Sequence, residues 1–138
     1  MVFTSQQIVH LGLLVAALGI LFLGGFQQIR YLKLAPRIET EADFEAFKKL
    51  ARMQMYLTVV FLLFAMPAIV MIFTDHEVRP SLGKRLVLWA PFGVMGLFSL
   101  FTKHQEKKIQ DPGRCAESFR PEFERVCLSW KKRALPDF

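Results

Sequence analysis

The sequence predicts an all-α membrane protein: three transmembrane helices, a short cytoplasmic helical hairpin and a C-terminal amphipathic helix. Three runs free of Lys, Arg, Asp and Glu carry that reading, residues 1–29, 53–74 and 86–102. Each reaches the roughly 17 residues a spanning helix requires. The middle run makes a helix of about 33 Å, enough for a hydrocarbon core of about 30 Å. With 53% hydrophobic residues among 138, the chain is too apolar for an ordinary soluble domain of its size. A net charge of +6 flanks the apolar runs instead of lining one groove. That distribution points to membrane topology and away from nucleic acid.

The first span, about 7–28, is preceded by no basic segment and followed by Arg30, Lys33 and Arg37. This asymmetry predicts an uncleaved helix with its N-terminus outside. Gly12, Ala16 and Gly19 form a small-residue stripe that lets another helix backbone come close, most simply the second or third helix of the same chain. Pro36 should end the helix, and Thr40 with Asp43 reads as the N-cap of the next. That helix runs unbroken into the second span, 53–74, with Phe44, Phe47 and Ala51 on one face. Pro67 removes an amide, freeing a carbonyl near Leu63 for a neighbouring helix. A short turn, 75–85, makes the second and third helices antiparallel neighbours. The third span, 86–102, is about 26 Å long. It carries Trp89 near one end and a second small-residue face, Ala90, Gly93 and Gly96.

Residues 1–104 thus form the predicted transmembrane domain and 105–138 a cytoplasmic tail. A helix over about 119–134 starts at Pro121 and places Phe123, Val126, Cys127 and Trp130 on one face, with Lys131, Lys132 and Arg133 at its end. Phe44, Phe47, Phe123 and Trp130 are candidate contacts with a partner or with lipid, and the three cations candidate contacts with anionic headgroups. The same helix face also suits burial against the hairpin or a partner subunit, and the sequence leaves these open. Six Lys and Arg lie in the hairpin and nine in the tail, against three in the other turn. The positive-inside rule then predicts a plasma (inner) membrane protein with its C-terminus in the cytoplasm. Cys115 and Cys127 would there be reduced thiols.

No Lys, Arg, Asp or Glu falls within the runs, which argues against a proton or ion carrier. No nucleophile with its base, no phosphate-binding Gly loop and no Cys or His metal spacing is present, so the chain is expected to be non-catalytic. His10 and His76, near the same membrane face, are the candidate ligands for a haem or chlorophyll-type pigment. No other cofactor is predicted; bound lipid is.

The expected function is an accessory subunit of a larger membrane complex, respiratory, photosynthetic or similar, contacting other integral membrane subunits through its small-residue faces. The alternative is a small homo-oligomeric channel or carrier lined by Ser99, Thr58 or Gln54. The order of elements also resembles minimal membrane-insertase cores of the YidC type. It departs from them in its short hairpin and in lacking a basic residue within the spans.

Overall fold

A computed structural model describes residues 2–34, 37–74 and 81–138; Pro36, His76 and most of the 75–85 turn lie outside the described residues. Four α-helices are present among them: α1 (Ser5–Leu34), α2 (Glu41–Phe73), α3 (Leu82–Ile109) and α4 (Arg120–Lys132). Two single-turn 3-10 segments, Pro112–Arg114 and Glu117–Phe119, connect α3 to α4. The first three helices are each long and apolar enough to cross a membrane.

Side chains supply the orphan amides at the helix starts. Thr4 and Gln7 close a reciprocal box at α1: Gln7 N–H donates to Thr4 Oγ1 at 3.2 Å and Thr4 N–H to Gln7 Oε1 at 3.0 Å. Thr40 and Asp43 do the same at α2, and Lys84 N–H donates to Ser81 Oγ at α3. Pro121 stands in the first turn of α4, where its missing N–H costs nothing.

α1 is the central element. It runs antiparallel to α2, with Gln6 reaching Met71 and Gly24 reaching Gln54, and parallel to α3, with His10 beside Phe92 and Gly25 beside Phe98. α2 and α3 are thus antiparallel, as expected, and meet through side chains of a shared core, though their backbones make few close contacts. The inward face of α1 repeats every three and four residues: Gln7, His10, Leu14, Ala17, Gly24 and Gln28 are all buried. This is a heptad-like seam, and it excludes the small-residue stripe. Gly12 and Gly19 are exposed, and a Cβ on either would meet nothing within 4 Å. Gly93 and Gly96 are likewise open, with Ala90 exposed beside them. The intramolecular use expected of Gly12, Ala16 and Gly19 is therefore corrected. Close approach occurs at Gly25, where a Cβ would sit 2.7 Å from Phe98 Cζ.

Two apolar cores result. The midspan core joins Leu14 and Ala17 of α1, Ala65 and Ala68 of α2 and Met95 of α3. The second lies at the end where α1 connects to α2, hereafter the capped end, and gathers Phe44, Phe47, Ile109, Phe123, Val126 and Trp130. Phe44, Phe47, Phe123 and Trp130 are buried there against one another, so the partner or lipid contact expected of them is corrected: the chain covers these rings itself. The hairpin and the tail beyond residue 104 share this core. A parallel bridge ties them, with Ile38 N–H donating to Arg114 O at 2.7 Å and Ala116 N–H to Ile38 O at 2.9 Å. Arg52 Nε donates to Phe138 O at 2.7 Å, fixing the last residue to α2.

Candidate functional site

Three polar places interrupt the apolar bundle. The first is His10, buried in the α1–α2 seam. Its Nδ1 lies 2.9 Å from Ala68 O; since a carbonyl only accepts, Nδ1 carries the proton and donates. Ala68 follows Pro67 in a helix that the proline does not end. The interhelical bond in this turn thus reaches Ala68, while Leu63, whose carbonyl was expected to need a partner, is 68% exposed on the outer face. His10 Nε2 is buried without a hydrogen-bond partner among the described residues. The cavity beside it, lined by Gln6, Gln7, Met71 and Leu88, holds about 10 Å³. That is space for about one water and far too little for a macrocycle. His10, one of the two residues expected to hold a haem or chlorin, thus stands without open space for one, and His76 lies outside the described residues. No three His, Cys, Asp or Glu side chains converge among the described residues.

The second place is an amide pair across the α1–α2 seam. Gln28 Nε2 donates to Gln54 Oε1 at 3.0 Å, and Gln54 Nε2 donates to Gly24 O at 2.9 Å. A Cβ at Gly24 would sit 3.4 Å from Gln54 Oε1, an ordinary contact. Thr58 donates back to Gln54 O within its own helix. Gln54 and Thr58, expected to line a homo-oligomeric pore, thus spend their hydrogen bonds inside this chain.

The third is a cleft of about 310 Å³ between α2 and α3 beneath the C-terminal end of α4. Met55, Val59 and Leu62 of α2 form its apolar wall; Lys103, Lys131 and Arg133 stand at its rim. Glu106 and Gln110 of α3 lie between, and Gln110 Nε2 is buried without an acceptor among the described residues. Arg133 also meets Asp137 at 3.3 Å. A hydrogen bond from Ser129, with Arg133 nearby, holds the Asp137 carboxyl below the usual carboxylate range. The sequence places Lys131 and Arg133 at a helix end but not facing Lys103. That juxtaposition follows from α4 folding back, which no local pattern announces.

Both cysteines are buried free thiols of the capped core. Burial pushes the Cys127 thiol up to about 12 and raises that of Cys115, leaving neither as a ready nucleophile.

Comparison with protein-family models, curated proteins and solved structures finds no match.

Proposed function

We propose that the chain is a non-catalytic structural subunit of a larger integral membrane assembly, crossing the plasma membrane with α1, α2 and α3 and keeping its capped end in the cytoplasm. The observation that carries this is the outer surface of the bundle. Apolar side chains stand exposed on all three long helices, among them Val15, Phe26, Leu63, Val70, Leu97 and Leu100. Water would not tolerate so continuous an apolar belt, and lipid is its natural solvent. Within that belt lie the two small-residue faces, Gly12, Ala16 and Gly19 on α1 and Ala90, Gly93 and Gly96 on α3, which the chain does not use for itself. In lipid, helix association relies on close backbone approach, and such faces favour it. The cations Arg30, Lys33, Lys49, Lys103 and Lys131 lie toward the capped end, in the sense of the positive-inside rule.

Native mass spectrometry after gentle extraction is expected to find the 15.9 kDa chain in a larger particle with other membrane subunits. Gly12→Leu with Gly19→Leu should release it from that particle while leaving its own melting transition in place, because both positions are open. Gly25→Leu should instead destabilise the chain itself, by about 1–3 kcal/mol, because its side chain enters Phe98. A homogeneous monomer from the wild-type extraction overturns the proposal.

A further inference from the structure

We propose that the cleft between α2 and α3 is a binding site for one anionic glycerophospholipid, with its phosphate among Lys103, Lys131 and Arg133 and its acyl chains along Met55, Val59 and Leu62. The proposal rests on the membrane reading above, which puts the capped end at the headgroup level.

Four observations support it. The cleft's volume of about 310 Å³ lies in the range of ligand pockets, about 300–1,000 Å³. Its rim sets three cations against one carboxylate, Glu106, so the balance favours an anion. Arg133 is not consumed by Asp137, since both side chains are largely exposed and such a surface pair is weak. The third observation is Gln110, only 9% exposed, whose Nε2 has no acceptor among the described residues. A buried amide donor is ordinarily satisfied, and a phosphate or glycerol oxygen entering the cleft supplies the acceptor. Fourth, the site is half apolar. The Met55–Val59–Leu62 row continues from the charged rim into the exposed belt, where Leu62 is 47% exposed. A free phosphate would use the rim alone, whereas a two-chain lipid uses both parts.

The test uses the full chain in mild detergent with Trp89→Phe, which leaves Trp130 at the cleft as the one tryptophan. Emission is followed during titration with short-chain phosphatidylglycerol, with phosphatidylcholine of the same chain length, and with inorganic phosphate. Saturable response to phosphatidylglycerol alone is expected. Lys103→Ala with Lys131→Ala should weaken its affinity about thirtyfold. Lys107→Ala with Lys132→Ala, which removes equal charge from exposed positions outside the cleft, should change it less than about twofold. An equal response to phosphatidylcholine, an equal response to phosphate, or equal losses in the two double variants each overturns the site. Alkaline extraction of native membranes separates this from the reading beneath it. A chain that resists extraction yet ignores phosphatidylglycerol loses only the lipid site, and an extracted chain loses the membrane reading as well.

Discussion

The midspan and the capped end of this bundle are held by different chemistry. At the capped end the core is large and aromatic: Phe47 and Phe123 pack with tilted rings 4.7 Å between centres, with Trp130 beside them and almost nothing exposed. At midspan the fully buried core is small, built of alanines, one leucine and one methionine, with Phe61, Phe64, Phe92 and several leucines only partly buried around it. The difference is what the proposed membrane setting would produce, with water around one part and lipid around the other. Rings gain from burial only where water is the alternative, and in lipid a leucine is as well placed outside as inside. Midspan cohesion adds to that packing the close approach at Gly25 and hydrogen bonds such as His10 to Ala68 O and Gln54 to Gly24 O.

The contrast can be broken at either end. Phe47→Ala should have the largest effect, a loss of about 3–5 kcal/mol at the capped end, because its side chain is fully buried in contact with Phe44, Phe123 and Trp130. Limited trypsin digestion should then cut at Arg114 and Arg125 while the three long helices survive; resistance equal to wild type contradicts an aromatic capped core. Gln54→Leu should act at the seam and cost less, about 1–2 kcal/mol, since interhelical hydrogen bonds in lipid are individually modest. Reversible unfolding in mixed micelles measures this, and replacing Gln28 by Leu in the same chain should recover part of the loss by removing the stranded partner.

The smallest effect is expected at Cys127. Its folded thiol titrates near 12, above the ordinary 9.0, so its contribution is fully present below pH 9 and fades as pH rises toward 12. Alkylation at pH 8 should accordingly be slow in the folded chain and fast after unfolding, and Phe47→Ala should accelerate it. Rapid labelling of the intact protein contradicts that burial.

Much of the architecture can be read in the residues. Charge-free runs mark the three long helices, and Thr40 with Asp43 and Pro121 mark the starts of α2 and α4. What periodicity does not reveal is which side of α1 looks inward, because both sides are apolar. Gly12, Ala16 and Gly19 suggest one face; the buried face is the other. Its signal is polar, not small: Gln7, His10 and Gln28 fall on the same three-four repeat as Leu14 and Ala17, and a polar side chain in a spanning helix points to protein more readily than to lipid. The cleft was not legible at all, since it depends on the tail returning over residues more than 60 positions earlier.

The bridge between Ile38 and Cys115 gives the molecule an order of assembly. During synthesis the linker after α1 is made early, yet its pairing strand emerges only after α3 has left the ribosome. Until then Phe44 and Phe47 lack Phe123 and Trp130, the rings that cover them in the folded chain. Covering those rings is thus a late event in assembly, because the residues that do it follow all three long helices in the chain.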